Sequence, residues 1–421
     1  MHLCYLLLFS FFISSDLFSL APLNIIRPYD ETFLFLPLDC SRGEFNVLYE
    51  KSTSVWAVQD DFDNECTDFL AKKVNPLHIY QTKQDGLGML KGFKTDSAIG
   101  QLAQVFTVDD DNNDRGHFLP CGNLSFQNAI ITGRYTRKHI SFTASLPICS
   151  IELKDVCWKD LTENKTAEDA LAHTYLTDDF SANLQKLGCL NNNGYKRVGL
   201  SDLYIGTTYN QIFPRRDEII NTVGLQAQVG LTLPTGKKRD NSTVLGFEFG
   251  NNGSVGAVFA GGLDLAFAHY LRAGANAQFL YVFGNNFNTR VRTDPAQTDL
   301  LFLQQAKVYT KWGLTQKFYL YAELYRIYKG ISLQAAYQYL RHEKDTVYTH
   351  SDKLYQPLAN NSLSLQEWTM NTMVFKLRAE PEAELADRGW SPRAELFYKK
   401  GFNGRNAFLS DSIGGHISIS F

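Results

Sequence analysis

The chain has 421 residues, of which 13% are aromatic and 20% charged, with a formal net charge of −3. So even a balance supplies no long-range field for nucleic acid or another polyanion. Mean hydropathy is −0.23, which excludes a bundle of apolar spanning helices but not a membrane barrel, whose strands are each only half apolar.

The chain begins MHLCYLLLFSFFISSDLFSLA (1–21), with an apolar run over 3–13 and then Ser14, Ser15, Ser19 and Ala21. The run is too short to span a bilayer and has the length of a signal h-region. The stretch resembles a secretory signal peptide ending at Ala21, although no Lys or Arg precedes the run and Pro22 follows. A buried N-terminal helix is the alternative. Residues 22–43 then read as a periplasmic segment and 44–421 as the folded body. No later stretch reaches the ~18 apolar residues of a spanning helix.

EFNVLYEK (44–51) is a plausible first strand. A long insertion, 52–123, follows. Within it FDNECTDFLAKKV (62–74) has helical spacing and SAIGQLAQVFTV (97–108) is rich in apolar groups, so the insertion is expected to lie over a pore mouth. The tract DDDNND (109–114) fits no register of the EF-hand pattern, so no metal site is read from it. LSFQNAIITGRY (124–135) and HISFTASLPI (139–148) are the next strands, and a second insertion spans 152–198.

Seven cysteines occur, all in the first half. Six remain after removal of Cys4, an even number in an exported chain, which suggests disulfides. No CxxC pair occurs, which argues against a zinc cluster. Cys66, Cys121, Cys157 and Cys189 are the candidates. Pairing stays open among fifteen connectivities; a Cys66–Cys121 bridge would bracket most of the first insertion.

Alternation then becomes regular. In VGLQAQVGLTLPTG (223–236) every second residue is apolar for eleven residues. That is longer than the usual soluble strand of ~5–6 residues and matches the ~9–11 of a tilted bilayer strand. Similar alternation marks 200–210, 253–267, 271–283, 317–326 and 330–340, with less regular strands at 367–380 and 391–400. The last strand is SIGGHISISF (412–421). Connections at 136–138, 268–270 and 328–330 are very short, and those at 211–219 and 381–390 modest. Those at 52–123, 152–198, 235–253, 284–311, 341–366 and 401–410 are long and polar. Short turns on one rim and long loops on the other describe an outer-membrane barrel. The expectation is an all-β, transmembrane, antiparallel up-and-down barrel of about twelve strands, with long extracellular loops containing some helix. Counting LLFLQQAKVYTK (300–311) differently would make the number ten or fourteen.

GLSDLYIGTTYN (199–210) and GLQAQVGLTLPTG (224–236) resemble the transporter-like outer-membrane barrels often labelled phenol-degradation-pathway proteins, loosely akin to fatty acid transporter barrels. The resemblance covers about 199–283 and implies a barrel without naming a substrate. The terminal strand resembles that of bacterial outer-membrane proteins, which implies Phe421 as part of the signal read by the outer-membrane assembly machinery.

The expected lipid-facing set includes Leu225, Val229, Leu231, Phe259, Leu263, Phe279 and Leu320. The expected pore lining is Asp202, Gln226, Gln228, Asp264, Arg272, Gln278, Lys317, Tyr319, Glu323, Gln334, Arg393, Glu395 and His416. Mixed charges and amides suit passage of a small hydrophilic solute; they suit a salt-bridged, closed interior nearly as well. Such a closed barrel, structural or adhesive, is one alternative function. A second is an outer-membrane hydrolase, for which His139 beside Ser141 and His416 near Ser418 are the nearest pairs. No GxSxG, HExxH or P-loop is present. No cofactor, metal or nucleic-acid partner is expected; the partners are the bilayer, the assembly machinery and a small solute.

Overall fold

The computed structural model describes residues 42–59, 72–106, 114–163, 165–215, 219–267, 270–328, 330–350, 356–380 and 391–421. The signal stretch, most of the segment 22–43, Cys66, most of the 62–74 helix and most of the acidic tract lie outside the described residues.

Twelve strands form the barrel. They are β1 (Arg42–Val58), β2 (His117–Arg137), β3 (Ile140–Asp160), β4 (Leu203–Pro214), β5 (Ile220–Leu233), β6 (Gly256–Phe267), β7 (Leu271–Val282), β8 (Thr315–Tyr328), β9 (Ile331–His342), β10 (Trp368–Ala379), β11 (Ser391–Arg405) and β12 (Ala407–Ser420). Each pairs antiparallel with its neighbours in sequence, and β12 pairs with β1, which closes the ring. At the seam Gly43 and Phe421 exchange both backbone hydrogen bonds, 2.8 and 2.9 Å. The Phe421 ring lies over Gly43, where a Cβ would approach it to 2.5 Å.

The strands are longer than the alternating segments in the sequence. β1 runs to Val58 and β3 to Asp160, so the insertions occupy 59–116 and 161–194 rather than 52–123 and 152–198. The expected outer loop at 401–410 is instead a tight hairpin, turning at Asn406 with a positive φ of 52°. Residues Gln305–Lys311 are a strand, but they join Asn285–Arg290 and Thr346–Thr349 in a separate three-stranded sheet above the barrel. The number of barrel strands therefore stays at twelve.

All long connections leave one rim. They carry α1 (Ala98–Val105), α2 (Ala167–Ala172), α3 (Phe180–Gly188) and α4 (Gln356–Ala359). Among the described residues no helix is long and apolar enough to cross a membrane. The strands supply the apolar surface instead. Leu225, Val229, Leu231, Phe259, Leu263 and Leu320 are all exposed on the outside, and Phe279 is partly so. Leu225 stands opposite Leu263, Leu263 opposite Ala275 and Ala275 opposite Leu320, so one apolar row runs around four strands. Above that row Phe279, Phe318 and Tyr339 make an aromatic band, with ring centroids 6.1 and 6.3 Å apart.

The cysteine expectation needs correction in two places. Cys121 pairs with Cys157, not Cys66, because the two stand directly opposite in the β2–β3 register with Cα atoms 5.1 Å apart. Cys189 is free and exposed among the described residues. It takes the left-handed cap position after α3, φ 48°.

Candidate functional site

The inner wall has two tiers. The upper inward positions are apolar: Trp56 and Val58 on β1, Phe126 on β2, Leu153 on β3, Val258 on β6 and Leu340 on β9 are all buried. On β2 and β3 the alternation persists here with its sense reversed, apolar Leu124, Phe126, Ile151 and Leu153 facing inward against Asn123, Ser125, Glu152 and Lys154, because an outer cap covers the inner face. Leu77, Met89 and Leu90 from 59–116, Leu176, Phe180 and Leu184 from 161–194, Phe247 and Phe249 from 234–255, and Leu301 from 283–314 share one buried cluster with Ala57, Leu124, Ile151 and Phe408 of the wall. Among its described residues the first insertion thus buries Leu77, Met89 and Leu90 against the mouth of the barrel, while Val105 stays exposed.

Side chains add to the backbone pairing of the three-stranded sheet in tying the cap together. Asp202, fully buried at the outer end of β4, accepts hydrogen bonds from Gly236 N at 3.0 Å and Asn251 N at 2.6 Å. The Arg290 guanidinium donates to five carbonyls on three loops: Asn241 O (2.6 Å), Phe302 O (2.9 Å), Leu303 O (3.2 Å), Gly188 O (2.9 Å) and Cys189 O (3.1 Å). Burial pulls this guanidinium down to about 10. In the second insertion Asp169 caps α2 through Thr166 N at 2.9 Å and accepts from Arg115 Nε at 2.8 Å. The Arg115 side chain holds this carboxyl well below the usual carboxylate range.

The lower tier is polar and, on one side, densely ion-paired. Arg378 reaches Glu323 at 2.7 Å and Glu395 at 3.4 Å, and Lys376 reaches Glu395 at 3.0 Å. Arg393 contacts Glu380 at 2.9 Å and Glu44 at 3.8 Å, and Arg134 contacts Glu44 at 3.4 Å. Lys399 meets Glu50 at 2.8 Å, and Ser412 Oγ donates to the same carboxylate at 2.5 Å. Several pairs bridge strands that are not neighbours. Arg393–Glu44 and Lys399–Glu50 join β11 to β1 across β12, which presents Ser418, Ser420, Ser412 and Gly414 beneath them. Arg378–Glu323 joins β10 to β8 across Ser332 of β9. Twelve strands ~4.8 Å apart and tilted ~40° close a ring roughly 24 Å across. Pairs that skip a single strand in such a ring run along the wall and do not cross the axis.

The opposite side, β4 to β8, uses tyrosine and glycine. The Tyr204 ring lies over Gly206 and Gly230, where a Cβ would meet its hydroxyl at 2.0 and 2.5 Å. Tyr321 lies over Gly274 and donates to Asp264 Oδ1 at 2.5 Å. The Arg272 guanidinium stacks 3.7 Å from the centre of the Tyr325 ring. Glycine spacing in the sequence thus becomes room for flat rings. Of the other expected lining residues, Tyr319 donates to Gln334 Oε1 at 3.4 Å, Lys317 stands opposite Gln278, and His416 stands opposite Glu395.

The reading of the sequence missed Glu44, Glu50, Lys376, Arg378 and Lys399. The signal was present, because Glu44, Asn46 and Glu50 alternate with Phe45, Val47 and Tyr49. The His139–Ser141 pair does not assemble. His139 Nδ1 lies 3.1 Å from Asn210 O, and Ser141 shares a 2.9 Å bond with Thr136. A Thr315–His342–Asp345 chain exists, 2.8 and 3.4 Å, but all three are buried and Trp368 stacks on the imidazole. Among the described residues no group of three or more His, Cys, Asp or Glu could hold a metal.

A closed antiparallel ring with an apolar outer belt, an aromatic band and all its long loops on one rim has its place in an outer membrane. The chain is an outer-membrane β-barrel. No family model matches it, and no curated protein matches it. Among solved structures it is similar to an outer membrane channel from Pseudomonas putida F1, with TM-score 0.47 and 9% identity over 94% of this chain and 100% of that one. It is also similar to the CymD monoaromatic hydrocarbon channel, with TM-score 0.31 and 8% identity over 97% and 98% of the two chains. The toluene transporter TodX of Pseudomonas putida gives TM-score 0.30 and 9% identity over 91% and 89%.

Proposed function

We propose that the barrel passes small solutes across the outer membrane through a lumen whose outer mouth is closed by the loop cap. The observation that carries this reading is the direction of the ion pairs. A barrel built as a solid rod would knit its charges across the axis, whereas these pairs bridge over small residues and lie flat on the wall. Glycine positions under Tyr204 and Tyr321 keep the other side equally thin. The lining residues are then the expected set, extended by Glu44, Glu50, Lys376, Arg378 and Lys399, with Asp202 serving the cap. The role is that of a channel and not an enzyme, and Phe421 serves in assembly.

The second reading is a structural barrel with a permanently sealed mouth. The shared core of the cap and upper wall favours it. Osmotic swelling of proteoliposomes separates the two. The channel reading expects small uncharged solutes to enter faster than into protein-free liposomes, with a rate that falls with solute size. No entry of any solute, with correctly folded protein, would overturn it in favour of the sealed barrel.

A further inference from the structure

The lower lumen carries one group of polar side chains that the ion-pair network does not use. On β4 to β7 the inward residues are amides set among glycines. Asn210 stands opposite Gln226, Gln226 opposite Gly262, and Gly262 opposite Asn276. One step above, Gln228 and Gln278 flank Ala260. Asn210 Oδ1, Gln226 Oε1, Gln228 Oε1 and Asn276 Nδ2 are buried and have no hydrogen-bond partner among the described residues. Asn210 and Asn276 are each only 8% exposed. Gln228 Nε2 already donates to Tyr204 at 2.5 Å, which leaves its oxygen as the open group. Asn276 leans over Gly262, where a Cβ would sit 2.9 Å from Nδ2.

Leaving a buried polar atom without a partner is unfavourable, and in a native protein each one calls for an explanation. Four such atoms lie together on adjoining strands of the wall. The chemistry of this patch is mixed, because every side-chain amide carries both an acceptor and a donor. A cation only donates and a carboxylate only accepts, so each would leave part of the patch unmet. A hydroxyl or a primary amide does both. The local charges are already engaged, Asp264 by Tyr321 and Arg272 by the Tyr325 ring. Gln226 and Asn276 stand two strands apart, about 10 Å, across a glycine floor.

We propose that this amide patch is a binding subsite for uncharged solutes bearing several hydroxyl or amide groups, sugars and polyols being the simplest class. The inference rests on the transport reading for its role in passage, but the subsite itself is tested by binding. The probes are glucose, gluconate and glucosamine, which share a size and differ in charge. Equilibrium dialysis of the detergent-solubilised full chain measures retention of each labelled probe. Swelling of proteoliposomes measures their entry. The variants are Gln226→Leu and Asn276→Leu, singly and together, with folding checked by heat-modifiable migration. The native protein is expected to retain glucose over both charged analogues. Each variant should weaken that retention about fivefold, the worth of one ordinary hydrogen bond, and should erase the preference in swelling. Equal retention of all three probes, no retention of glucose, or an unchanged double variant would overturn the subsite. Glucose retention without entry of any probe would keep the subsite and overturn transport.

Discussion

Replacing Arg290 by Ala removes one guanidinium that holds three outer loops through five carbonyls. Hydrogen bonds to a charged group contribute roughly 1.5–3 kcal/mol each, and their effects do not add. Cys189 is exposed, so its carbonyl regains water; the Phe302 and Leu303 carbonyls belong to buried residues and regain less. The net loss should be about 3–5 kcal/mol, in the range for removing one partner of a buried charged contact. Hydrogen exchange read by mass spectrometry is the assay. At ~1.4 kcal/mol per tenfold, amides near 188–190, 241–249 and 300–304 should exchange a hundred- to a few-thousand-fold faster. Amides of β4 to β9 should not change. Arg290→Lys should recover little, because three donors at one point cannot reach three loops. Unchanged exchange in the cap, or equal loss of protection in cap and barrel, would refute the view that Arg290 locks the cap as a unit distinct from the wall.

Leu263→Arg places a charge in the apolar row between Leu225 and Ala275 and should cost ~2–4 kcal/mol of barrel stability, read as a lower urea midpoint for folding into lipid vesicles. The Asp169 carboxyl is held below its ordinary value, so its contribution is complete above about pH 4 and is lost as pH falls below that. Proteolysis near α2 should therefore rise in acid, and Asp169→Asn should show the raised cleavage already at neutral pH. Deleting Phe421 removes both the last backbone rung to Gly43 and the ring over it. Outer-membrane yield should drop and periplasmic degradation should increase.

The barrel was legible because a wall between lipid and a polar lumen forces unlike faces on alternate residues, as at 223–233 and 317–326. Strand facing there follows from that alone, whereas the number twelve also needs the pairing of 305–311 outside the ring. The upper tier was not legible, because Leu124 and Ile151 turn apolar groups to a covered interior while Ser125 and Glu152 beside them are polar, which reverses the sense of the alternation. The Cys121–Cys157 pair depends on the β2–β3 register, which spacing does not encode. The wall pairs depend on which strand lies between two others; only the ring order shows that Ser418 and Ser420 let Arg393 reach Glu44. Arg290 sits in NNFNTR, a string with no motif, and its role exists only where three loops meet. The amide patch was half visible, since Gln226, Gln228 and Gln278 alternate in the sequence while Asn210 and Asn276 were not singled out.

Single-channel recording in planar bilayers addresses the central claim, a conducting lumen closed by its cap, most directly. The native chain should show rare or small openings. A variant whose residues 60–116 are replaced by a short turn, and whose barrel is verified by heat-modifiable migration, should show a steady conductance several times larger. A correctly folded deletion variant that stays silent would contradict the account, because the wall itself would then seal the barrel.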